Sequence, residues 1–355
     1  MAKPRVLLVR DAAVGDAIMI TPAIRYWHSR GYRVDVACKR FVGNAVYSSN
    51  PHVHACIELE RQDDLAARER AIDKIKHRHP YDLVFDLAGT CEGRFLYHSI
   101  REEYHAPTEL RRFYAEGADY YKHINHDCCG VRDDSLLPEM FYSQQELRWW
   151  ETFRSRNIGV KLVQVQLDGS SMNKCYPYWW QVIKALQLDP RVIVITTGGK
   201  LGHVLEQEAV GMGCDPERIW ACCANEKYTL RDSLIMPAFV DLVIGPETGI
   251  LNASACWDVP KIVLMSHSAP ENLCRRWLNC QPITSPVKCS PCYRIVSAGD
   301  PCNYVTEPPE IAGAMACMAA ISPQTIVEKA RKILECSQRK TCFNNQAHNL
   351  SLIHI

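Results

Sequence analysis

The chain has almost no excess of charge: 41 basic against 40 acidic residues in 355 leave a formal net charge of +1. No global field therefore draws it to nucleic acid or to an anionic membrane, although a local basic groove stays open. It also lacks any uninterrupted apolar run of about 18 residues, which argues against a membrane-spanning helix. Nothing like a secretory signal precedes the strand-like Arg5-Val-Leu-Leu-Val9, so the expected location is cytoplasmic. Two nucleotide fingerprints are missing as well. G-x-G-x-x-G is absent, and so is G-K-[ST], which excludes the usual dinucleotide and P-loop signatures. No internal repeat is found.

Cysteine is not scarce. Eighteen are present, thirteen of them after residue 170, and without a secretory signal they read as thiols or metal ligands before disulfides. The length suits two domains of ordinary size, each with its own core.

Short apolar runs alternate with helical patterns, as in an α/β protein with parallel sheets. The first series is Arg5–Val9, Arg33–Ala37, Ala55–Leu59 and Asp82–Asp86, with helices expected over 16–30, 41–49 and 64–77. The stretch 94–150 loses this rhythm and is expected to supply loops and a connection. A second series begins at Lys161–Leu167 and continues through Arg191–Ile195, Arg218–Cys222, Asp241–Ile244 and Lys261–Met265. The reading is two Rossmann-like, doubly wound domains facing a cleft, 1–150 and 160–335, with a Cys-rich segment at 287–318, an amphipathic helix over 322–334 and a tail at 336–355. Ligands in such sheets bind beyond the carboxyl ends of the strands, so the loops there carry the functional expectations.

Four loops stand out. After the first strand, Gly15 permits a close turn, and Asp16 either accepts a proton from a hydroxyl as a general base or merely caps the next helix. In Leu167-Asp-Gly-Ser-Ser-Met-Asn-Lys174, Ser170 and Ser171 offer donors and Lys174 a positive charge suited to a departing diphosphate, or else an ordinary surface lysine. Gly198 and Gly199 form a glycine turn, with Glu206 beyond it placed either for a ribose or donor sugar or on a solvated helix face. In Gly245-Pro-Glu-Thr-Gly249, Thr248 and Gly249 suit a phosphate while Glu247 suits neutral sugar hydroxyls, since a carboxylate repels phosphate. Finally, Cys289, Cys292, Cys302 and Cys317 make a C-x2-C-x9-C-x14-C series that fits a structural zinc or iron site, or a set of free thiols.

Taken together these loops resemble glycosyltransferase family 9, the ADP-heptose:lipopolysaccharide heptosyltransferases and their relatives. The likeness covers most of residues 5–335. It rests on Val9-Arg-Asp-Ala-Ala-Val-Gly-Asp-Ala-Ile-Met-Ile-Thr-Pro-Ala23, on Lys174-Cys-Tyr-Pro177 with Ser170 and Ser171 before it, on Glu247-Thr-Gly249, and on Val259-Pro260 with its following strand. The sequence departs from the family at Glu247, where Asp is usual, and at Asn252, where heptosyltransferases usually carry His. The resemblance implies the GT-B fold and inverting transfer from a nucleotide-diphosphate sugar to a hydroxyl acceptor, with a glycan, a protein and a modified base all left open as that acceptor. It implies Asp16 as base, Lys174 on the donor phosphates and no obligatory metal. It leaves oligomerisation open, as it does two other readings: a sugar-nucleotide-binding protein without turnover, and a nucleotide-sugar epimerase of the same fold.

Overall fold

All nine anticipated strands form in the computed structural model, which describes residues 3–11, 13–59, 65–87, 116–293 and 315–336. Strands β1 (Arg5–Val9), β2 (Arg33–Cys38), β3 (Ala55–Glu58) and β4 (Leu83–Asp86) make a parallel sheet in the order β3-β2-β1-β4. Val6 to Val9 of β1 are wholly buried, which explains the continuous apolar run: a central parallel strand is covered on both faces. Each such side chain contributes about 1.5–3 kcal/mol relative to an exposed one.

The second sheet has six parallel strands, β5 (Lys161–Gln166), β6 (Val192–Thr197), β7 (Ile219–Ala221), β8 (Leu242–Pro246), β9 (Lys261–Met265) and β10 (Cys280–Thr284), in the order β10-β9-β8-β5-β6-β7. Strand β10 escaped the sequence reading because Pro282 interrupts its run. It lies at the sheet edge, where a residue without an N–H is tolerated.

In the first domain the helices are α1 (Val14–Met19), α2 (Thr21–Ser29), α3 (Arg40–Val46) and α4 (Leu65–Arg78). The single helix expected over 16–30 is two, broken at Ile20, because Pro22 fits the first turn of a new helix better than the interior of an old one. A short α5 (Tyr120–Lys122) leads into a π-helical turn, His123–Cys128, and then to α6 (Gln144–Arg156). Ser143 and Glu146 cap α6 reciprocally. This helix spans the expected boundary at residue 150, and its far half packs on the elements around β7 and β8. Trp150 stacks on Phe239 at 5.1 Å, and Arg154 bonds Asp241 at 2.9 Å.

The second domain adds α7 (Trp179–Leu186), α8 (Lys200–Gly211), α9 (Leu230–Ile235), α10 (Gly249–Ser254), α11 (Pro270–Leu273), α12 (Ala316–Ala319) and α13 (Pro323–Cys336). Polar clasps join it to the first. Arg231 of α9 donates to Ala45 O at 3.0 Å and to Glu146 at 2.9 Å, while Arg276 bonds Asp119 at 2.6 Å and Asn272 bonds Ala118 O at 2.9 Å. One apolar cluster runs from Val6 and Ile18 through Tyr121 and Trp150 to Ile250 and Val263, so the core continues across the domain junction. No helix among the described residues is long and apolar enough to cross a membrane.

Candidate active site

Strand order locates the site. In the first sheet the connection reverses at β1, between β2 and β4; in the second it reverses at β5, between β6 and β8. Crevices open at such switch points. The loops concerned are Arg10–Gly15 after β1, Leu167–Lys174 after β5 and Glu247–Gly249 after β8.

These three loops meet. A Cβ built on Gly249 would lie 3.0 Å from Val14 Cγ1 and 3.4 Å from Gly15 N. One built on Gly169 would lie 2.6 Å from Lys174 Cβ and 3.1 Å from Thr248 Cγ2. Glycine at 169 and 249 is therefore a requirement of close approach. Gly15, Asp16, Lys174, Thr248 and Gly249, drawn from two domains, are brought to one junction.

Asp16 occupies the third position of α1. One carboxylate oxygen accepts from Arg10 at 2.8 Å and the other from the Ala13 N–H at 3.0 Å. Arg10 is itself buried and also donates to Tyr120 Oη at 3.1 Å. The Asp16 side chain retains 16% exposure. A carboxylate has about four lone-pair sites, so positions remain for a further donor.

Thr248 Oγ1 is buried and has no hydrogen-bond partner among the described residues. A hydroxyl in that state costs roughly 1–3 kcal/mol unless something arrives to bond it. The Thr248 methyl faces Gly169, against which Lys174 also packs. Ser171 bonds Asn173 Oδ1, and Ser170 is exposed on the same loop.

The geometry at Glu247 differs from the expected one. Its carboxylate is 4% exposed and turns into the loop after β9, accepting from Ser266 N at 3.0 Å, His267 N at 3.3 Å and the Ser268 hydroxyl. Burial alone would raise its pKa. Instead His267 at 3.1 Å, the nearby Lys174 charge and the Ser268 bond hold it at about 2. Glu247 thus braces the loop under the junction, and its oxygens are spent on protein donors.

Asp168, which sequence reasoning overlooked, has a comparable task. Its carboxylate accepts from Gly199 N at 3.0 Å and Gly202 N at 2.8 Å, filling the N-terminus of α8. Gly198 and Gly199 hence wrap an internal carboxylate, a Cβ on Gly198 meeting Asp168 Oδ1 at 2.9 Å. Glu206 is buried beneath the same turn, bonded to the Thr196 hydroxyl and 3.4 Å from His203, not on a solvated face. The available signal was an aspartate just past the end of β5 beside a neighbouring strand, β6, that ends in Gly-Gly before a helix.

Of the cysteine series, Cys302 lies outside the described residues. Cys289 is exposed, Cys292 and Cys317 are half-buried, and Cys317 packs on the second-domain core. Among the described residues no three His, Cys, Asp or Glu side chains are grouped to hold a metal ion.

No protein-family model matches the sequence, and no curated protein sequence matches it. Solved structures do. A family 9 glycosyl transferase from Veillonella parvula aligns with TM-score 0.68 at 13% identity, covering 94% of this chain and 99% of that one. The chain has the GT-B fold of the family 9 structures. E. coli ADP-heptose lipopolysaccharide heptosyltransferase II aligns with TM-score 0.64 at 17% identity over 93% and 98% of the two chains. The iron-containing dodecameric glycosyltransferase TibC of enterotoxigenic E. coli aligns with TM-score 0.60 at 13% identity over 94% and 76%. Within this GT-B fold the three loops lie at the carboxyl ends of β1, β5 and β8 and touch one another.

Proposed function

We propose that the chain is an inverting glycosyltransferase that moves a sugar from a nucleoside-diphosphate donor of the ADP-heptose type to a hydroxyl acceptor. The observation that carries this reading is the junction itself. A carboxylate with lone pairs to spare, a lysine, and a buried hydroxyl without a partner come from separate loops to the crevice where a GT-B fold binds ligands. The similar heptosyltransferase II is named for an ADP-heptose donor, which supports that donor class.

On this reading Asp16 takes the acceptor proton as its oxygen attacks the anomeric carbon and the bond to the diphosphate breaks. Arg10 and the Ala13 N–H hold the carboxylate in one orientation, which limits the search for the attacking geometry. Lys174 and the Thr248 hydroxyl then meet the charge that develops on the departing diphosphate. Glu247 and Asp168 set the loops without touching substrate. A structural zinc or iron ion at the cysteine series rests on its spacing alone, since the described Cys289, Cys292 and Cys317 are not grouped around one, and no step of transfer passes through it.

Thermal unfolding with ADP-heptose and with UDP- and GDP-sugars tests the donor. A sugar nucleotide at about 100 times its Kd stabilises by roughly 2.7 kcal/mol. Lys174→Ala is expected to abolish most of the shift, since charge-assisted bonds contribute about 1.5–3 kcal/mol. Absence of a shift with every nucleotide sugar would remove the proposal.

A further inference from the structure

We propose that Asn252 is a positioning residue that sets the closed spacing of the two domains' loops, acting through Tyr121 and through the absent side chain of Gly15. The functional consequence rests on the reading above; the packing stands by itself. Asn252 lies in α10 and is 5% exposed. Its Oδ1 accepts from Tyr121 Oη at 3.2 Å, and its Nδ2 donates to Thr248 O at 3.0 Å. One side chain therefore ties the donor loop to the segment that enters α6 from the first domain.

The contact with Gly15 makes the spacing exacting. A Cβ on Gly15 would sit 3.0 Å from Asn252 Nδ2, closer than the roughly 3.5–4.0 Å at which such atoms attract. Reciprocally, Gly249 receives Val14 of the first domain, where a Cβ would sit 3.0 Å from Val14 Cγ1. Each domain thus offers a glycine to the other's side chain, and a methyl group at either makes the facing side chain give by a few tenths of an ångström. Asp16 follows Gly15 and Thr248 precedes Gly249. Any change in this spacing moves the base relative to the donor loop.

Tyr121 is wholly enclosed, so loss of Asn252 Oδ1 removes the acceptor of its buried O–H. Asn252 Nδ2 likewise answers a carbonyl of the very loop whose threonine hydroxyl is unpartnered. The Asn252 backbone N–H and its side-chain amide both donate to Thr248 O at 3.0 Å, and the threonine side chain is left for ligand.

Four variants test the proposal: Gly15→Ala, Asn252→Ala, their double mutant, and Tyr121→Phe, with circular dichroism to verify folding. Small-angle scattering without ligand reads closure, and calorimetric titration with ADP reads the consequence. Gly15→Ala and Asn252→Ala are each expected to raise the radius of gyration and weaken ADP by about 3- to 10-fold. The double mutant is expected to be no worse than Asn252→Ala alone, because the added methyl occupies space the amide has vacated. Tyr121→Phe keeps the ring and is expected to weaken ADP by about five-fold. Strictly additive effects of the two substitutions, or a Tyr121→Phe variant indistinguishable from wild type in both measurements, would overturn the proposal. If wild type fails to bind ADP while the scattering pattern holds, the functional reading falls and the spacing role stands.

Discussion

Glu247 offers a prediction whose size follows from its surroundings. Its carboxyl sits at about 2 in the folded chain against an ordinary 4.5, held down by His267, Lys174 and Ser268 in spite of complete burial. At 1.36 kcal/mol per unit, that difference corresponds to about 3 kcal/mol of stability. The folded value is depressed, so this contribution is fully present above the unfolded value and is lost as pH falls toward 2. By pH 3 roughly 2 kcal/mol of it should be gone. Glu247→Gln keeps the shape but removes the charge, and is expected to be destabilised at pH 7 by about 3 kcal/mol and at pH 3 by only about 1 kcal/mol. Urea unfolding of both proteins at the two pH values measures the convergence. A stability gap that does not change with pH would mean that the charge is not what the Ser266–Ser268 loop holds.

Two further outcomes are expected. Asp168→Ala removes the acceptor of the Gly199 and Gly202 N–H groups and should cost about 0.5–2 kcal/mol in thermal or urea unfolding, as for other helix caps. Elemental analysis of anaerobically purified protein should find one zinc or iron per chain, lost in Cys289→Ser; metal-free wild type would count against the four-cysteine assignment.

The sheets were readable because burial on both faces of parallel strands writes continuous apolar runs, as at Val6–Val9 and Leu242–Ile244. Loops after those strands were readable for a related reason: Gly169 and Gly249 are small where another loop presses close. What the loops' charged residues face is set by long-range packing and was not. Glu247 turns toward a loop some twenty residues later, Asp168 toward a helix start some thirty residues on, and Asn252 toward Tyr121 across the domain junction. In each case a short polar side chain beside a glycine has two neighbourhoods open to it, and only the folded chain chooses between them. The edge strand β10 was hidden by Pro282, whose missing N–H matters little at an edge.

The most direct test of the transfer mechanism is the rate at which ADP is released from ADP-heptose by wild type and by Asp16→Asn. Release by wild type is expected, with a fall of about 10²- to 10⁴-fold in the variant and the ADP Kd changed by less than about threefold. Equal rates in the two proteins would contradict Asp16 as the base, and no release by wild type with any acceptor hydroxyl offered would contradict the assignment of an ADP-heptose donor.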